Sequence, residues 1–134
     1  MNHTPVLSSD DAGRMAAAAA DYALAKGWPV AIAIVDEGAH LLFFQRLAGT
    51  KTGSIETSIA KARSAVLFDR PTKALEEAIM GGRTVLLGLP QATPIQGGLP
   101  VRRQGALVGG IGVSGVLSPQ DEEVAQAGID ALRG

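Results

Sequence analysis

The sequence predicts an α+β domain, a mainly antiparallel sheet of two hairpins flanked by helices. Two features carry that prediction. Apolar, β-branched runs come in close pairs, residues 30–35 with 40–46 and residues 99–102 with 106–113, each pair joined by a turn far too short for a parallel crossover. Before, between and after these pairs stand segments with helical composition and helix-end residues.

Ser8, Ser9 and Asp10 are N-cap residue types, because their side-chain oxygens accept the free N–H groups of a first turn. The Ala-rich stretch that follows is closed by Gly27 with Pro29 beyond it, which predicts a helix over 10–26. Residues 30–35 are too few for a helix and read as a strand. Asp36-Glu37-Gly38-Ala39 supplies the turn, with Gly38 able to take a positive φ. Residues 40–46 return as the second strand. Strict alternation there puts His40, Leu42, Phe44 and Arg46 on one face and Leu41, Phe43 and Gln45 on the other.

A polar link, 50–53, leads to a helix predicted over 54–68. Pro71 ends it by disfavouring helical dihedrals at Arg70. Thr72 is expected to cap a shorter helix that stops at Gly81-Gly82, and residues 84–87 read as a short strand. The segment 89–100 carries Pro90, Pro94, Gly97, Gly98 and Pro100 and reads as an ordered, winding loop. Gln104-Gly105 turns the second hairpin. Gly109, Gly110 and Gly112 inside its returning strand suggest a bulge or a close approach to the backbone. Ser118 as N-cap, Pro119 at the first position and Asp121 at the third start a last helix running to about residue 132.

The chain has 134 residues, which fits one domain over 1–134; no solenoid repeat or composition shift divides it. Hydrophobic residues make up 46% and aromatics only 4%, so the core is built from small side chains. A small, Ala-rich chain with open hairpin edges and a net charge of −1 is expected to form a homo-oligomer. The near balance of charge, with Arg102-Arg103 the sole adjacent basic pair, argues against a nucleic-acid partner. No apolar stretch is long enough to span a bilayer, so no membrane partner is expected. The start of the chain lacks the basic n-region of a signal peptide, and a cytoplasmic location is the expectation. Without cysteine there is no disulfide, thiolate nucleophile or Cys-ligated metal. His, Asp and Glu show no metal-ligand spacing, so no metal site is expected.

Candidate chemistry concentrates on a few residues. The run from Gly109 to Gly115 lacks the Lys-Ser/Thr of a phosphate loop, leaving either a closely packed strand or a ligand against bare backbone. Ser54, Ser58, Lys61 and Ala65 fall on one helical stripe, where small and hydroxyl residues could surround an acid's head group beside the lysine. The alternative is a solvated face with a snorkelling lysine. Arg46 ends an apolar strand face and can fork onto a carboxylate or pair with an acid of the fold. His40 is a candidate ligand or a packed, hydrogen-bonded residue, and the other histidine, His3, sits in the N-terminal tail. Glu76-Glu77 and Glu122-Glu123 are expected to face water.

Val35-Asp36-Glu37-Gly38-Ala39-His40-Leu41, followed by Arg46, Gly49 and Ser54, resembles the opening signature of the GlcG/HbpS family, or haem-degrading domain proteins. Ala60-Lys61-Ala62-Arg63-Ser64-Ala65 with Phe68 looks like its central helix. Gly97-Gly98-Leu99-Pro100-Val101, Gly105 and Ile111-Gly112-Val113-Ser114-Gly115 with Gln120-Asp121 look like its C-terminal half. The resemblance covers nearly the whole chain. It implies a somewhat profilin-like sheet with flanking helices, assembly as dimers or larger homo-oligomers, and association with haem. In relatives like the PduO C-terminal domain the association is with corrinoids, and in others with organic-acid catabolism.

Two functions follow from the residues and the resemblance together. The first is a small-ligand-binding module for haem, a related tetrapyrrole or corrinoid, or a small organic acid. Its site would draw on Arg46, Ser54, Ser58, Lys61, Gly97, Gly98 and Ser114, with His40 the axial candidate if haem binds. The second is a small-acid catabolic enzyme, a hydrolase, tautomerase or deaminase. There Arg46 would hold the carboxylate, Lys61 would act as base or amine, and Asp121 or Glu56 would relay a proton. The sequence names neither the cofactor nor any reaction.

Overall fold

Ser8 starts the first helix by a reciprocal cap: its Oγ accepts the Asp11 N–H, and the Asp11 carboxylate accepts the Ser8 N–H, both at 3.0 Å. This helix, α1, runs Ser9–Lys26 and closes at Gly27 with φ 74°, a left-handed cap that glycine adopts without strain. The computed structural model describes residues 4–133. Strands β1 (Ala31–Asp36) and β2 (Leu41–Arg46) form the first hairpin. Helices α2 (Gly53–Leu67) and α3 (Thr72–Met80) follow, then a short 3-10 helix at Thr84–Gly88. Strands β3 (Gly98–Arg103) and β4 (Ala106–Ser114) make the second hairpin, and α4 (Ser118–Asp130) ends the fold.

The four strands form one antiparallel sheet in the order β2-β1-β4-β3, so the two hairpins meet through β1 and β4. Ile32, Ile34, Ile111, Val113, Leu99 and Val101 pack on Met15, Ala16, Ala19 and Ala23 of α1 and Val124 and Ala125 of α4. On the other face Ala33 and Val35 meet Ala62 and Val66 of α2. Among the described residues no helix is long and apolar enough to cross a membrane.

Glycine sets how closely α2 lies on the sheet. A side chain on Gly112 would overlap the Ser58 carbonyl oxygen and the Ala62 amide, and one on Gly110 would overlap the Ala62 carbonyl. The glycines of β4 are therefore a helix seat. A bulge accompanies them: Val101 pairs with Gly109 but Arg102 with Leu107, leaving Val108 extra on β4.

Four local expectations need correction. Residues 84–87 are not a strand but lie in the 3-10 helix, with Val85 and Leu87 exposed. Along the start of β3, Thr72 Oγ1 binds the Gly98 N–H and Pro100 has no N–H to give, so that stretch offers no donor to a further strand. Thr72 is accordingly no cap; Pro71 holds the cap position, and the hydroxyl serves β3. Ser118 is the first residue of α4 rather than its cap, while Gln120 Oε1 accepts the Leu117 N–H at 3.2 Å. Finally, the faces of β2 do not alternate strictly. A bulge leaves Leu42 unpaired, so Leu42 and Phe43 both reach the α1–α4 core and Phe44 the α2 side.

Candidate functional site

The predicted stripe on α2 is its buried face: Ser54 is 7% exposed, Ser58 0%, Lys61 1% and Ala65 0%. A lysine cannot stay ionised in that position without partners. Lys61 Nζ donates to the Val113 carbonyl at 2.9 Å and to Asp121 Oδ2 at 3.2 Å. The second Asp121 oxygen accepts the Val116 N–H at 3.1 Å, where the chain leaves β4 for α4. Since α2 and α4 lie on opposite faces of the sheet, this ion pair passes around the sheet's end and ties the two helical layers together.

Burial pushes the Lys61 ammonium below its ordinary value, and the Asp121 charge pulls it back. Burial raises the Asp121 carboxyl, against the pull of Lys61 and of the Val116 and Gly115 backbone. Glu76 adds a weaker negative field at Lys61. A depressed amine beside a carboxylate is suited to proton exchange, yet structural ion pairs shift in the same way.

Gly97 and Gly98 belong to the same cluster. Gly97 has φ 136°, its carbonyl accepts the Val113 N–H at 3.0 Å, and a Cβ there would sit 2.7 Å from Lys61 Nζ. A Cβ on Gly98 would overlap the Lys61 carbonyl. Three side chains that the sequence did not mark as anchors stitch this loop down. Ser64 Oγ accepts the Thr93 N–H, Glu76 Oε1 the Gln96 N–H and Thr72 Oγ1 the Gly98 N–H, at 3.0, 3.0 and 2.9 Å. Glu76 thus does not simply face water, whereas Glu77 is exposed as expected. No spacing rule links these partners, which lie 20 to 29 residues apart.

The remaining candidates stand outside the cluster. Ser114 is buried and pairs with Ala31, which pairs with Arg46 on its other side, so Arg46 shares this end of the sheet. Its guanidinium is exposed and gives one N–H to the Thr50 carbonyl at 2.9 Å, without touching Lys61. Glu56 is exposed on the first turn of α2. His40 opens the other end of β2, its side chain 82% exposed, with Nδ1 3.4 Å from Asp36 Oδ1. Six residues of strand put His40 and Arg46 about 20 Å apart. His3 lies outside the described residues. Among the described residues no three His, Asp or Glu side chains converge on a metal position.

Comparison with known proteins gives a consistent result. A family model described as haem degrading protein HbpS-like matches residues 7–130. The protein GlcG of Escherichia coli K12 is 38% identical over 109 residues, 81% of this chain and 81% of its own length. The corrinoid adenosyltransferase PduO of Salmonella typhimurium is 32% identical over 135 residues, which is 96% of this chain but 40% of that protein. Among solved structures, the crystal structure of the PduOC:heme complex superposes with a TM-score of 0.88 at 29% identity, covering 95% of each chain.

Proposed function

The chain belongs to the HbpS-like family, and from that premise we propose that it is a small-ligand-binding protein whose ligand is haem or a related tetrapyrrole or corrinoid. The observation that carries this reading is the likeness, over 95% of the chain, to a protein solved as a haem complex. The similarity to a corrinoid adenosyltransferase supports the wider tetrapyrrole class.

The residues present fit such a group at one point. Asp36 Oδ1 stands 3.4 Å from His40 Nδ1 on the turn that opens β2. The imidazole, 82% exposed, would be the axial candidate if haem binds. When bound, haem supplies an iron whose chemistry depends on that axial ligand. The chain's part is to orient one imidazole on a tight turn, where Asp36 Oδ1 also accepts the Gly38 and His40 N–H groups, each at 2.9 Å. His40 and Arg46 stand at opposite ends of β2, so a haem on His40 would meet Arg46 only across the length of that strand. Arg46, Ser54, Ser58, Lys61, Gly97, Gly98 and Ser114 remain the proposed contacts for a ligand at the opposite end of the sheet. There Lys61 would act through Asp121. A haemin titration followed in the visible spectrum tests the reading.

The alternative is a small-acid enzyme using Lys61 and Arg46, favoured by the depressed, buried Lys61 amine. Asp121 is in place to take its proton; Glu56 is exposed on the first turn of α2. Assembly as a homo-oligomer completes the proposal. Met80, Val85 and Leu87 are 81%, 73% and 65% exposed on one segment, an apolar surface that a second copy would cover.

A further inference from the structure

We propose that the cleft along the free edge of β3 binds a small monocarboxylate with a compact apolar body. The cleft measures about 410 Å³, within the usual range for small-molecule sites. Leu99 of β3 and Ile129 and Leu132 near the end of α4 give it apolar walls, and Arg102, Arg103 and Arg133 line its rim. This inference is independent of the tetrapyrrole reading, because the cleft includes none of His40, Arg46 and Lys61.

The three arginines are not equivalent. Arg103 is locked by Asp11 through two contacts of 2.8 and 3.2 Å and by the Val6 carbonyl at 3.2 Å. Arg102 spends one Nη on Asp69. Arg133 is 72% exposed, and its neighbour Asp130 stands 3.5 Å away, an exposed i,i+3 pair of little strength. A guanidinium carries five N–H donors, so Arg102 and Arg133 still offer a planar fork to a carboxylate.

The surroundings narrow the ligand. Asp11, Asp69 and Asp130 each oppose one of the arginines, which leaves the rim near neutral and disfavours a multiply charged anion. A further β-strand is disfavoured too, since Gly98 is engaged by Thr72 and Pro100 has no N–H. What fits is one negative charge on an apolar body.

Benzoate is the probe. In methyl NMR of Ile- and Leu-labelled protein, the Ile129, Leu132 and Leu99 signals should shift and saturate. Acetate, phosphate and neutral benzamide should each bind at least about tenfold more weakly. The variant Arg102→Gln/Arg133→Gln should lose about tenfold in benzoate affinity while its methyl spectrum stays folded, and exposed Lys51→Gln should keep the parent's affinity. Unsaturated or scattered shifts, equal binding of benzamide, acetate or phosphate, or loss of binding in Lys51→Gln would each overturn the proposal. A failed haemin titration would leave it standing.

Discussion

Lys61 Nζ lies 3.2 Å from Asp121 Oδ2 with the two side chains 2% and 3% exposed, and the pair joins helices on opposite faces of one sheet. Removing one partner leaves the other charge buried and alone. Lys61→Met should therefore cost about 3–5 kcal/mol, read as a lower urea midpoint. The double variant Lys61→Met/Asp121→Leu should recover part of that loss, because no stranded charge remains. A Lys61→Met protein as stable as the parent would show that the pair does not hold the layers. If that variant folds, unchanged ligand affinity would remove Lys61 from the binding site.

Asp11 predicts an acid response. Its carboxylate takes hydrogen bonds from Arg103, Ser8 and Arg14, which hold it well below the usual 3.8. A depressed folded value means that the stabilisation is complete above the unfolded value and is lost as pH falls through the folded one. Stability measured from pH 5 down to pH 2 should fall in the parent and fall less steeply in Asp11→Asn. Parallel curves would remove Asp11 from the account.

Gly112 predicts a packing limit. Its φ is not in the left-handed region, so the obstacle to a side chain is the space taken by Ser58 and Ala62. Gly112→Val should cost at least about 1–3 kcal/mol, as overpacking does. A thermal melt matching the parent's would show that α2 yields freely.

The exposed apolar surface predicts self-association. Light scattering at micromolar concentration should report an oligomer, and replacing Met80, Val85 and Leu87 together by serine should reduce it to monomer. A monomeric parent would refute this, as would an oligomer indifferent to the triple change.

Local patterns made most of the fold legible. The turns Asp36-Glu37-Gly38-Ala39 and Gln104-Gly105 announced the two hairpins, and the glycines of β4 announced a bulge or a close approach, though not that α2 is what approaches. The bulge at Leu42 was hidden, because one unpaired residue reverses every later face while leaving the apolar content unchanged. The site divides in the same way. Helical spacing put Ser54, Ser58 and Lys61 on one stripe, but Asp121 as the lysine's partner depends on how α4 crosses the far face, 60 residues on. Thr72 read as a cap because its sequence setting is a cap's; only the approach of Gly98 gives the hydroxyl its other use.

The central claim, a tetrapyrrole held by one imidazole, is tested most directly by titrating the purified protein with haemin and following the Soret band. His40→Ala and His3→Ala variants are titrated beside the parent. The account predicts a Soret shift in the parent and in His3→Ala and its loss in His40→Ala. Equal loss in both variants would contradict the single-imidazole site, and no shift in the parent would contradict haem binding and leave the small-acid enzyme as the leading reading.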